Sequence, residues 1–169
     1  AAQVGVLTAT QVAALEATDV AALTTTQIGG LTASHLGAFE ATDVKALTTT
    51  SVAALTTTQL AGITATQLGV LAASQLGALS ATDITALSTT QIGGLSAAQI
   101  AALSTTQVKA VETTDLAAFS TTQIGGLTTT QIAVLSTSQI KAVEATDLAA
   151  FSTTQIGGLA ATQGAARSE

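Results

Sequence analysis

FSTTQIGG, from Phe119 to Gly126, runs without a gap into LTTTQIAV, LSTSQIKA, VEATDLAA and a second FSTTQIGG that ends at Gly158. The unit is eight residues long, and its positions are lettered a to h from the leading apolar residue. Counting in both directions from Phe119 keeps the register through nearly the whole 169-residue chain. Position a falls at Leu7, Leu15, Leu23, Leu31, Phe39 and so on to Leu159, and all twenty are apolar. Position f (Val12, Val20, Ile28, Leu36 onward) is apolar up to Gly164. A fixed short period of this kind marks an array in which each unit contacts its neighbours and no single core exists. Two buried side chains cannot offset the ordering of eight residues, so an octad is stable only when stacked.

Within the octad, the order of residue types predicts a very short capped helix. Position b is Thr or Ser in fourteen of twenty units, and position e, three residues on, is Gln in thirteen and Asp in five. Thr/Ser-x-x-Gln is the capping-box pattern, in which each side chain bonds the other residue's backbone N–H. Asp at the third helical position complements the positive end of the helix dipole. Positions a and f have the spacing of a hydrophobic staple. About one and a half helical turns followed by a tight reversal then complete the unit. The expected fold is all-α: a solenoid of very short capped helices, one per octad.

A continuous helix is excluded, because eight residues at about 100° each rotate the apolar stripe by roughly 80° per unit. A β-solenoid is the alternative, since Thr-rich triplets such as Thr24-Thr25-Thr26 favour strands. Strand alternation would place a and f on opposite faces, against the need to bury both. The cap reading leaves one feature open. Position d is Thr or Ser everywhere except Ala98, a more constant column than the cap at b, where Glu16, Glu40, Glu112, Glu144, Ala72 and Ala160 intrude. A hydroxyl at d is expected to cap or to bond a neighbouring repeat.

A 32-residue superperiod overlies the octads. Gly occupies h at Gly30, Gly62, Gly94, Gly126 and Gly158. Lys45, Lys109 and Lys141 at g, and Val70 and Val134 at h, keep a fixed phase in the same period. The physical reading is a coil of two or four octads, with Gly where backbones come close or turn at positive φ. Duplication of a 32-residue cassette contributes as well, because residues 108–126 and 140–158 differ at only two positions. Residues 1–166 read as one solenoid and residues 167–169 as a tail. Ala1 to Val6 fill positions c to h of a truncated octad, as expected of a segment cut from a longer array, and Gly164 breaks the apolar f column.

Composition narrows the function. Charged residues make up 8% and the net charge is −6, without the basic stripe that a nucleic-acid partner needs. No run of about 18 apolar residues offers a membrane span. The absence of Cys removes disulfides and thiolate metal sites. His35, the single His, stands in an e slot and reads as a substituted cap residue. The pairs Glu16/Asp19, Glu40/Asp43, Glu112/Asp115 and Glu144/Asp147 read as dipole-matched, solvated carboxylates rather than a cation site. Lys109 with Glu112, and Lys141 with Glu144, read as weak exposed pairs. The Gly-Gly steps lack the Lys of a phosphate loop, and a lone His in a repeat slot makes no triad. No catalytic, cofactor or metal residue is assigned, and a non-enzymatic protein is expected.

The octad L-[ST]-x-[ST]-[QD]-[ILV]-x-[AG] resembles the Thr/Gln-rich octapeptide arrays of very large bacterial exported or surface proteins of adhesin- or haemagglutinin-like type. It is also similar to the common LTPEQ helix-start segment, with Thr or Ala in place of Pro. The resemblance implies a bacterial source, an extracellular or cell-surface location and a spacer or scaffold role; it carries over no site residues. In Thr spacing alone the chain also resembles ice-binding solenoids. The alternative function is therefore a binding module whose Thr/Gln face meets ice, a glycan or another copy of the chain. Neighbouring repeats of the same chain are the partners the pattern itself requires.

Overall fold

A computed structural model describes residues 2–143, 149 and 151–159. The pair Glu144/Asp147, Gly164 and the 167–169 tail lie outside the described residues. From Ala9 onward every described helix starts at position c and lasts four to six residues, for example Ala17–Ala22, Thr25–Ile28, Thr89–Gly93 and Thr105–Ala110. No strand occurs among the described residues. The all-α expectation holds and the β-solenoid does not.

Caps decide these boundaries. Ser88 is extended at φ −76°, ψ 158°, and its Oγ accepts the Gln91 N–H at 3.3 Å. In return the Ser88 N–H donates to Gln91 Oε1 at 2.8 Å. The exit is equally local: the N–H of the next a residue bonds the carbonyl of f, as in Leu95 to Ile92 at 3.0 Å. Positions a and b are then extended and redirect the chain (Leu103 φ −62°, ψ 139°). A β-branched run at b, c and d is tolerated because only c and d enter the helix, in its first turn.

Successive helices wind into a superhelix. Ala17–Ala22 packs on Ala41–Ala46, and Ala81–Ala86 on Thr105–Ala110, so a helix meets the one three octads further on. Side chains at e reach back 28 and 31 residues. One turn therefore holds between three and four octads, where the 32-residue superperiod suggested two or four. The sequence period and the structural turn do not coincide, so the 32-residue period is not one turn of the superhelix.

Positions a and f line the interior, with f no more than 2% exposed from Val12 through Ile140. At h, Gly62, Gly94 and Gly126 are required by close approach. No glycine among the described residues has positive φ, so that half of the expectation fails. A Cβ on Gly62, Gly94 or Gly126 would lie 2.0, 2.4 or 2.7 Å from the carbonyl oxygen of Ala33, Ala65 or Ala97 in the preceding turn.

Candidate functional site

The residue that organises the molecule is the Gln at e, which does more than complete a capping box. Its Oε1 caps its own helix, and its Nε2 donates to two backbone carbonyls of the preceding turn, those of f and of the next a. Gln59 Nε2 reaches Ile28 O at 2.7 Å and Leu31 O at 2.8 Å. Gln91 reaches Leu60 O and Ile63 O, both at 2.7 Å. Gln131 reaches Ile100 O at 2.8 Å and Leu103 O at 2.7 Å. The same clamp recurs at Gln67, Gln99, Gln107, Gln123 and Gln139. Each buried carboxamide thus satisfies an N–H within its helix and two carbonyls a turn away, all desolvated together.

Sequence reasoning missed this clamp, although a signal was present. A capping box accepts Glu as readily as Gln, yet none of the twenty e positions is Glu. Only a donor requirement separates the two side chains. Asp at e gives up the clamp, while at Asp19, Asp43 and Asp83 it keeps the return half of the box. Ser80 N–H donates to Asp83 Oδ2 at 2.8 Å, and Glu40 N–H to Asp43 Oδ2 at 2.8 Å. At Asp115 the cross-turn contact runs the other way, Thr89 Oγ1 donating to Asp115 Oδ1 at 2.6 Å.

Variation at b also acquires a cause. Where b is Ala72, its N–H still donates to Gln75 Oε1 at 2.7 Å, so the return half of the box survives without a hydroxyl. Ser51 shows the converse defect. Its Oγ meets Thr48 Oγ1 at 2.8 Å, but it cannot reach Val20 O or Leu23 O, which lie 31 and 28 residues before it. Substituting Ser51→Gln is expected to add the missing clamp and raise stability by about 1–2 kcal/mol. Urea denaturation compared with the parent checks it; no gain would mean that this turn cannot accept the longer side chain.

The remaining candidates form no reactive cluster. His35 is buried and acts as the expected substituted cap, Nδ1 accepting the Thr32 N–H at 3.2 Å while its own N–H donates to Thr32 Oγ1 at 3.2 Å. In the Glu16/Asp19 and Glu40/Asp43 pairs the Asp carboxylate caps the Glu backbone, and Asp43 is buried. That burial departs from the solvated reading, because the preceding turn covers position e from His35 onward. Lys109 and Glu112 form no ion pair, although both line a shallow open groove with Thr85, Val134 and Ser136. Among the described residues no three His, Cys, Asp or Glu side chains gather as metal ligands. No helix there is long and apolar enough to cross a membrane.

Position d is exposed in every described octad, and no d hydroxyl makes a hydrogen bond among the described residues. The expected capping or cross-repeat role of d is therefore not what the structure shows. Hydroxyls at c and g take that part, as in Thr89 to Asp115 and Thr85 Oγ1 to Ala110 O at 3.0 Å. The Gln half of the imagined Thr/Gln face is buried from Gln59 on.

Comparison with known proteins agrees with this periodicity. The sequence profile of the ALTTAQ repeat matches residues 12–49, 76–113 and 108–145, together more than half of the chain. The three matches start 64 and 32 residues apart and so keep the phase of the superperiod. No curated protein and no solved structure matches the chain.

Proposed function

Since the chain belongs to the ALTTAQ repeat family, we propose that it is an elongated spacer or scaffold segment of a larger bacterial surface or secreted protein. The observation that carries this reading is where the buried polar groups go. The clamping carboxamides are spent on joining one turn to the next. Such a ladder gives length and stiffness that scale with the number of octads. A low charge density and a coat of exposed hydroxyls suit a rod that holds other parts at a distance.

Small-angle scattering checks the shape. Adding one 32-residue cassette should lengthen the particle by a constant step at unchanged cross-section, whereas a globular particle would thicken. Protease shaving of intact cells checks the location: digestion only after lysis would exclude a surface segment.

A second reading is favoured by the constant, exposed and unbonded d hydroxyls, as a face for ice or a glycan. With three to four octads per turn, successive d positions rotate by about 100° around the axis. That spreads them around the rod and supports a flat lattice match less than the spacer role. Thermal hysteresis above that of an inert protein of equal size would favour the ice-binding reading.

A further inference from the structure

The eight-residue period aligns the chain with itself, so each column can be weighed for what the fold needs from it. Position b spends its hydroxyl on the capping box: Ser88 Oγ accepts the Gln91 N–H at 3.3 Å and donates to Gln91 Oε1 at 3.0 Å. Position c is Thr in ten octads and Ala in ten, so a hydroxyl there is optional. Position d, the next residue, is Thr in sixteen and Ser in three. No Asp, Asn, Glu, Gln or Lys enters this column, although every described d residue is exposed and any polar side chain would be solvated there. What Thr and Ser share, and those five lack, is an aliphatic hydroxyl.

The fold does not require that hydroxyl. Where d is Ala98, the helix Ala97–Ala102 keeps its six residues and its capping box. The Ser96 N–H donates to Gln99 Oε1 at 2.8 Å, and Ser96 Oγ accepts the Gln99 N–H at 3.3 Å. Gln99 still holds the preceding turn through Leu68 O at 3.0 Å and Leu71 O at 2.8 Å. The d hydroxyls elsewhere have no hydrogen-bond partner among the described residues. A nucleophilic group kept at nineteen of twenty positions, facing solvent and unused by the packing, marks a place where chemistry is done on the chain.

We propose that the d hydroxyls are acceptors for O-linked sugars. In the transfer, the Thr or Ser Oγ bonds to the anomeric carbon of a sugar-diphosphate donor. The bond from that carbon to the phosphate oxygen breaks, and the hydroxyl proton passes to a base of the transferase. A neutral sugar fits better than a phosphate. Thr18, Thr42 and Thr114 each lie between the Glu and the Asp of a pair (Glu16/Asp19, Glu40/Asp43, Glu112/Asp115), where an added dianion would meet like charge. The chain contains no Asn, so an N-linked sugar has no acceptor. Acceptors used one at a time need no common plane, unlike a lattice face for ice, and their spread around the rod would clothe it on every side. Transfer to d requires neither the spacer role nor a cell-surface location, because the octad alone supplies the acceptors.

The intact mass of the chain isolated from the cells that produce it, followed by fragmentation that keeps sugars attached, tests the acceptors. The expected mass exceeds that of the sequence by a whole number of sugar residues, and the sugars sit on d. Residues 95–102 are an internal control. Their single hydroxyl is Ser96, tied into its capping box, so this octad should be bare between modified Thr90 and Thr106. In the same cells Ala98→Thr should gain a sugar at that position and Thr106→Ala should lose one, each with unchanged circular dichroism. A mass equal to that of the unmodified sequence overturns the proposal. So do phosphate in place of sugar, sugars on b or c rather than d, and an Ala98→Thr octad that stays bare while its neighbours are modified.

Discussion

Gln91→Glu is expected to destabilise the solenoid by about 3–5 kcal/mol, although it preserves side-chain shape and the capping box. Gln91 is buried, and its Nε2 donates to Leu60 O and Ile63 O at 2.7 Å. The substitution removes both hydrogen bonds and sets a carboxylate against two carbonyl oxygens with little water to screen it. The new carboxyl is therefore held above its ordinary value of about 4.3 in the folded chain. The folded variant then binds more protons than the unfolded one between those two values. Its stability falls as pH rises through that window, and the full deficit is present above it. Denaturation of Gln91→Glu and the parent at neutral and acidic pH reads this directly: the gap should narrow in acid, where the protonated carboxyl regains one donor. An equal gap at both pH values would show that the loss arises from packing rather than from charge. Gln27→Glu, where the Nε2 has no acceptor among the described residues, should leave the unfolding curve nearly unmoved.

Adjacent glycines should respond in opposite directions. Gly94→Ala is expected to cost about 3 kcal/mol, because its Cβ would lie 2.4 Å from Ala65 O and 2.8 Å from the Ala65 carbonyl carbon and Cβ. Relief would require the two turns to move apart, stretching clamps on either side. Gly93→Ala places its Cβ in open space and removes freedom from the unfolded chain, so a gain of about 0.5–1 kcal/mol is expected. The chain contains a precedent, since Ala61 precedes Gly62 where Gly93 precedes Gly94. Thermal unfolding of the two single variants is the comparison. Equal behaviour would mean that the turns are not in the close contact described.

Most of the local structure was legible because it depends on residues no more than five apart. The cap at b, the return bond from e and the staple between a and f are short-range contacts, and a strict octad repeats each of them in phase. The reach of the Gln Nε2 was less visible. One carboxamide serves both the local box and the distant clamp, so the local explanation looked complete, and only the absence of Glu at e hinted otherwise. The constant d column misled in the opposite way. It suggested a bonding role, yet its hydroxyls face solvent without partners among the described residues. Its constancy has no account in the packing.

By itself, the sequence determined that the chain is a tandem array of very short capped helices with a and f inside. Caps, staples and apolar period act within a single octad and its immediate neighbour. Only the tertiary structure decided how many octads make a turn, which glycines are needed, and why e is Gln. Those depend on how far one turn lies from the next. Distances of 2.7 Å from Gln91 to carbonyls 28 and 31 residues earlier, and of 2.4 Å from a would-be Cβ on Gly94 to Ala65 O, are set by superhelical pitch. Pitch follows from packing side chains across the gap between turns, a long-range balance that no window of eight residues contains.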